Sequence, residues 1–232
     1  KIAIARSVEE NQLDISAALA DWNINGQQLG QFNFNANGNT LMNAYVVNFD
    51  LAKDDKKELK AKGIWQGLEE PTLNLDIELD GLDLNFLSPL GKDAIKNIGG
   101  SITGNVNLWG PLNQLKHNGL LTLESAQISI PFLNVDYQAA TTQVKLSNQE
   151  FFFMSTTLFE QAENTSALLE GAFSHVNFRD WSLDLNIDSD RMLLLNTPQE
   201  PESLFFGQGF LDGNLNITGP TKNLKISLQG AT

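Results

Sequence analysis

The 232-residue chain contains no cysteine. Disulfide scaffolds, thiolate zinc sites, iron–sulfur clusters and a cysteine nucleophile are therefore excluded. In a chain of this length the absence also favours an oxidising compartment, where a free thiol is a liability. Cations are scarce: 15 Lys and Arg stand against 28 Asp and Glu, a formal net charge of −13. Nucleic-acid binding needs clustered cations that release counterions, so no nucleic-acid partner is expected. Electrostatic docking onto anionic lipid headgroups is disfavoured for the same reason. Two tyrosines are too few for the aromatic girdles of a membrane β-barrel. No apolar run approaches the roughly 18 residues of a membrane helix; the longest are Phe151-Phe152-Phe153-Met154 and residues 192–195. His117 and His175 are the only histidines, and neither has a nucleophile or a metal partner beside it in sequence, so both are expected to be structural or on the surface.

What the chain has in abundance is two-residue alternation, the signature of strands. Leu73, Leu75, Ile77 and Leu79 alternate with Asn74, Asp76, Glu78 and Asp80. The same beat runs through Phe32/Phe34/Ala36, Val106/Leu108, Leu121/Leu123, Ile128/Ile130, Leu183/Leu185/Ile187, Leu215/Ile217 and Ile226/Leu228. Each strand then has an aliphatic face and an Asn, Asp, Ser or Thr face. Asn25-Gly26, Asn37-Gly38 and Asn118-Gly119 read as hairpin turns. Helical signal is sparse. Ser88 is placed to cap a short turn over residues 89–97, residues 54–61 read as a solvated loop or hairpin tip, and residues 197–203 as a loop or crossover.

An internal repeat organises the pattern. Gly104-Asn-Val-Asn-Leu-Trp-Gly-Pro111 matches Gly213-Asn-Leu-Asn-Ile-Thr-Gly-Pro220, and both continue to a Leu-Lys pair, Leu115-Lys116 and Leu224-Lys225. Residues 72–78 parallel residues 182–188 at nearly the same offset. The expectation is an all-β chain, an elongated and curled antiparallel-rich sheet with a hydrophobic interior. Its units repeat about every 109 residues: an incomplete unit over 1–53, a repeat unit over 54–162, and a second, truncated one over 163–232. An alternating sheet needs a cover for its apolar face. A trough filled by lipid acyl chains satisfies that need; the core of a ligand-free sandwich is the alternative.

The repeated Gly-x-Φ-x-Φ-x-Gly-Pro-x-x-x-Leu element resembles the AsmA-like family of β-groove proteins, most closely the C-terminal conserved region of TamB. Asp21-Trp22-Asn-Ile-Asn-Gly26 with Leu29-Gly30, and His175-Val-Asn-Phe-Arg-Asp-Trp181 with Phe205-Phe206-Gly207, extend the likeness toward Bacteroidota-type TamB proteins. The resemblance implies a β-taco in the periplasm of a Gram-negative bacterium. The longer protein would be anchored in the inner membrane by an N-terminal helix and would work with a TamA-like outer-membrane barrel through strands beyond Thr232. It implies no catalytic residue and no cofactor, and two roles: phospholipid transfer between membranes, and outer-membrane protein assembly.

The site expected on these grounds is a lipid-groove lining: Phe32, Phe34, Leu73, Leu75, Ile77, Leu79, Val106, Leu108, Leu121, Leu123, Ile128, Ile130, Leu183, Leu185, Ile187, Leu215, Ile217, Ile226 and Leu228. Its partner is phospholipid acyl chains, each buried methylene gaining about 0.8 kcal/mol. Trp65, Trp109 and Trp181, with Phe151 to Phe153, are either a lipid-contact cluster or ordinary packing. Asp188-Ser189-Asp190 and Asp80-Gly81-Leu82-Asp83 fall short of a calcium loop, so no metal is expected. Gly207-Gln-Gly209 has the wrong spacing for a dinucleotide loop. A scaffold that pairs with a β-barrel client by strand addition is the competing function, and a carbohydrate-binding or adhesive solenoid the third. Exposed edge strands also make an edge-to-edge homodimer an expected hazard.

Overall fold

A computed structural model describes residues 2–7, 11–24, 27–67, 69–91, 94–199 and 206–231. The expected turn at Asn25-Gly26 and most of the 197–203 crossover lie outside the described residues. Fourteen strands follow one another: β1 Ile2–Ser7, β2 Gln12–Ile24, β3 Gln27–Asn39, β4 Ala44–Lys53, β5 Lys56–Gln66, β6 Thr72–Asp83, β7 Lys96–Pro111, β8 Lys116–Ile130, β9 Val135–Asn148, β10 Glu150–Glu160, β11 Thr165–Val176, β12 Arg179–Thr197, β13 Gly207–Pro220 and β14 Lys225–Ala231. They form one antiparallel sheet whose strand order is the chain order, open rather than closed into a barrel. The all-β expectation is met. By packing, the chain divides into two compact units. Unit 1 is Lys1–Leu82, Ile102–Leu121 and Leu146–Gln149; unit 2 is Asp83–Ser101, Thr122–Lys145 and Glu150–Thr232.

In unit 1 the pairing turns sequence alternation into rows that cross the strands. Ile15, Ala36, Val47, Gly63 and Leu75 are successive partners from β2 to β6. So are Ala17, Phe34, Phe49, Ala61 and Ile77, and likewise Leu19, Phe32, Leu51, Leu59 and Leu79. Rows of the opposite face lie between them, such as Ser16, Asn35, Asn48, Lys62 and Asp76. A one-residue slip in any strand would move a whole apolar set to the wet face, which pins the register. Gly63 belongs to the apolar row because a Cβ there would run into the Asn74 carbonyl. Ala36, Val47 and Leu75 form the buried centre of this unit.

Unit 2 covers its apolar face with the same sheet. Its core joins Val135 and Tyr137 of β9 to Ala167 of β11 and to Met192 and Leu193 of β12. The Tyr137 hydroxyl donates to the Leu193 carbonyl at 2.9 Å, and the Asn196 N–H donates to the Leu133 carbonyl at 2.9 Å. β9 and β12 are three places apart in strand order, so these contacts require the sheet to fold over onto itself. Register shifts flank Met192 and Leu193, between Ser189 and Met192 and between Leu193 and Leu195, and both residues are fully buried. The Ser189 hydroxyl fastens the first of these shifts, donating to the Ser166 carbonyl at 2.8 Å and accepting the Arg191 N–H at 3.1 Å. Glu160, 3% exposed, closes the next hairpin by accepting the N–H groups of Ala162 and Glu163 at 2.6 and 3.0 Å.

The Gly-Pro element has the same geometry in both copies. Gly110 and Gly219 take φ of 116° and 103°, a region open to glycine, and bend the chain into Pro111 and Pro220. Each proline carbonyl accepts the N–H of the third residue on, Gln114 or Asn223, at 2.8 Å.

Three local expectations are corrected. Asn37-Gly38 and Asn118-Gly119 sit inside β3 and β8, not in turns. Gly38 pairs with Tyr45, whose ring and neighbouring carbonyl occupy the space a Cβ would need. Only Asp54 and Asp55 form the tip expected over residues 54–61, both at positive φ as a tight two-residue hairpin requires; Lys56–Gln66 is strand. Ser88 lies within a 3-10 helix, Leu84–Gly91, rather than capping one, and its hydroxyl donates to the Ile98 carbonyl at 3.1 Å.

Burial separates what packs from what merely alternates. Leu193→Ala, at a fully buried position, is expected to cost about 2–5 kcal/mol. Ile226→Ala, at a position 65% exposed, is expected to stay within about 0.5 kcal/mol of the parent. Urea midpoints of the two variants check the contrast.

Candidate functional site

The apolar rows of unit 1 frame a cavity of about 330 Å³, near the lower end of the roughly 300–1,000 Å³ of small-molecule sites. Its floor is narrow because its residues are small or β-branched: Ala36 and Val47, flanked by Ile15 and Leu75. Its sides are bulky. Tyr45 and Trp65 face each other with ring centroids 5.3 Å apart, and Phe34, Phe49 and Leu73 complete the lining. Phe32 continues the aromatic side, 6.1 Å from Phe49 and 5.1 Å from Trp22. No carboxylate, amine or imidazole is among the lining residues. Apart from the Tyr45 hydroxyl its lining is hydrocarbon, so what it chiefly offers is transfer of apolar surface out of water.

The opposite face of the same strands is wet and charge-balanced. Lys57 pairs with Asp50 and Lys60 with Glu78, each at 3.2 Å. The Asn107 side-chain amide donates to Asp76 at 2.9 Å and to Asn74 at 3.0 Å, tying β7 to β6. A shallow depression of about 650 Å³ is lined by these lysines, acids and asparagines together with Phe49, Ala61, Ile77 and Val106. Exposed pairs of this kind contribute at most about 1 kcal/mol each; their larger effect is to keep this face in water.

Of the lining residues expected from sequence, Phe32, Phe34, Leu73, Leu75, Ile77 and Leu79 share one face of unit 1 through the register above. Leu108 packs on the same centre, Val106 is half-buried, and Leu121 is buried. In unit 2, Ile128, Ile130 and Ile187 pack on the core. There, Leu123 is half-buried, and Leu183, Leu185, Leu215 and Ile217 share a face, Leu215 being buried. Ile226 and Leu228 pair with Ile217 and Leu215 on that face yet stand open, 65% and 47% exposed. Sequence reading passed over Ile15, Tyr45, Val47 and Phe49, four of the nine lining residues. Their signal was present as Val47, Phe49 and Leu51 alternating with Asn48 and Asp50.

The aromatic residues do not act as one group. Trp65 packs at a tilt against Tyr45 in unit 1; in unit 2, Trp181 lies 5.8 Å from Phe151 and Phe153 lies 4.9 Å from Phe173. Phe152 points to the other face and is exposed. Both histidines are buried, His117 on β8 and His175 on β11, which corrects the surface alternative. Burial holds the His175 imidazole below its ordinary pKa. The Tyr137 phenol is pushed well above the usual tyrosine range by burial and, second, by the nearby Glu160 carboxylate. Among the described residues no three His, Asp or Glu side chains converge as metal ligands would.

Residues 155–231, from the end of β10 through β14, match the family model described as the TamB C-terminal domain. No curated protein and no solved structure matches the chain.

Filling the cavity from its floor should remove its capacity for apolar ligands. Ala36→Trp is expected to abolish saturable binding of the uncharged probe N-phenyl-1-naphthylamine. Asn35→Trp, one residue along on the wet face, should leave it unchanged. Fluorescence titration of the two variants against the parent decides this.

Proposed function

Residues 155–231 form a TamB-family region, and on that premise we propose that the chain is a non-enzymatic segment of a translocation and assembly module in the Gram-negative envelope. Its work is to shelter phospholipid acyl chains in an apolar trough as they pass between inner and outer membrane. The observation that carries this reading is the cavity of unit 1, lined wholly by aliphatic and aromatic side chains drawn in register from five strands. Apolar burial at about 0.8 kcal/mol per methylene is strong in sum and non-directional, so a chain can be held without being fixed in one place. The wet face opposite suits a protein that crosses an aqueous compartment, the periplasm, from an inner-membrane anchor.

A second reading draws on β14. Among the described residues no strand lies on its outer edge, and Ile226 and Leu228 are exposed there. Such an edge can accept a strand from a TamA-like barrel or its client, or from a second copy of the chain. The lipid reading is preferred because it explains a built apolar cavity, which strand addition does not need.

Two experiments test it. A photo-crosslinking residue at Leu75, Ile77, Val106 or Leu185 is expected to capture phospholipid in cells, whereas one at Asn74, Asp76 or Asp184 is not, because neighbours on a strand face opposite ways. Equal labelling of both sets would sink the trough. Ile77→Arg in the full-length protein is expected to leave an abundant, protease-resistant protein that no longer supports outer-membrane lipid supply, since arginine can turn its charge toward water while its stem blocks the path. Asp76→Arg should be close to neutral. Full activity of a folded Ile77→Arg protein would transfer preference to the scaffold reading.

A further inference from the structure

The turn between β11 and β12 is built against backbone preference. Asn177 and Phe178 have φ of 50° and 58°. Asparagine tolerates that left-handed region, but a bulky phenylalanine rarely enters it. One residue, His175, makes two contacts with Phe178 in that conformation. The Phe178 N–H donates to His175 Nδ1 at 3.0 Å, and the Phe178 ring stacks on the imidazole at 4.4 Å with 23° between planes. His175 is 3% exposed and is further walled by Trp181 at 4.8 Å and Phe151 at 5.7 Å. To accept that N–H, Nδ1 must be unprotonated, so the proton of the neutral ring sits on Nε2.

We propose that His175 is a pH-sensitive lock on the β11–β12 turn: neutral, it holds Phe178 in the left-handed conformation, and protonated, it releases the turn. Protonation puts an N–H at Nδ1, facing the Phe178 N–H, so the bond becomes a donor–donor clash inside an aromatic box. At the turn end of these strands the charged residues are Glu150 at the start of β10, Arg179 and Asp180 at the start of β12, and Lys222 of the β13–β14 turn, which pairs with Asp180 at 3.6 Å. All four are exposed at the rim. The direction follows from linkage. Burial lowers the pKa of the locked imidazole, whereas in an opened turn it returns toward 6.5. The lock is therefore fully effective above that value and weakens as pH falls below it, until the locked form itself is protonated. The opening equilibrium rises by up to about tenfold per pH unit across that window.

The lock is independent of any lipid, so its test stands apart from the trough. In the whole chain, hydrogen exchange by NMR reads the protection of the Phe178 amide relative to its intrinsic rate from about pH 7.5 to about pH 5, alongside the His175 ring resonances. Protection is expected to fall as the ring titrates. His175→Asn, whose amide oxygen can accept the same N–H and does not titrate, is expected to keep protection flat. Phe178→Gly, at ease at positive φ, is expected to keep a closed turn with a much weaker pH response, and it serves as the check if His175→Asn does not fold. Unchanged Phe178 protection across the titration of His175, or an equal loss in the variant that cannot titrate, overturns the proposal.

Discussion

In an antiparallel sheet neighbouring side chains point to opposite faces, and here that rule is carried through fourteen strands paired in chain order. Each strand inherits the register of the one before it, so the alternation of one strand propagates into rows such as Ile15, Ala36, Val47, Gly63 and Leu75. No helical layer and no second sheet is present among the described residues to cover the apolar face that results. Where the apolar face is covered within the described residues, the cover comes from the same sheet. In unit 2 the cover is internal: Tyr137 reaches the Leu193 carbonyl across three places of strand order, and Met192 and Leu193 are sealed. In unit 1 the apolar face carries an open depression in which Ala36 and Val47 lie beside Tyr45, Phe49 and Trp65.

The difference between the two units is a matter of side-chain volume. Ala36, Gly63 and Ala61 take up little room on the strands where unit 1 is deepest, while Tyr45, Trp65 and Phe49 stand beside them. Protein interiors ordinarily close such space, since an unfilled apolar void forfeits dispersion contacts. A depression lined by aliphatic and aromatic side chains, with no carboxylate or amine, fits an apolar occupant and supports the proposed role of sheltering acyl chains. The wet face answers a complementary need. Its Asn–Lys–Asp and Asp–Lys–Glu ladders add little stability pair by pair, but they make a slipped register expensive by bringing lysines into an apolar row.

Period two was legible throughout, because alternation is a local property of each strand and survives any packing. Phe32, Phe34, Leu73, Leu75, Ile77 and Leu79 share rows in unit 1, and the repeated Gly-Pro element folds alike in both copies, since a glycine at positive φ before a proline prescribes its own turn. What misled was chemistry with two uses. Asn37-Gly38 and Asn118-Gly119 look like turns, yet Gly38 serves close approach to Tyr45 within β3. Residues 56–61, rich in lysine, look like a loop; their lysines line the wet face of a strand whose inner face is Leu59, Ala61 and Gly63.

The amino-acid sequence by itself determined the all-β class, the two faces of most strands and the turn geometry of its glycine–proline repeats. All of these follow from backbone conformation and side-chain polarity within a few residues. Only the tertiary structure decided which apolar faces are sealed and which stay open, that Met192 and Leu193 are both buried between register shifts, and that His175 comes to rest against Phe178. Those outcomes depend on pairings between residues distant in the chain and on how far a sheet curls over its own face, and neither is encoded in the period of any one strand.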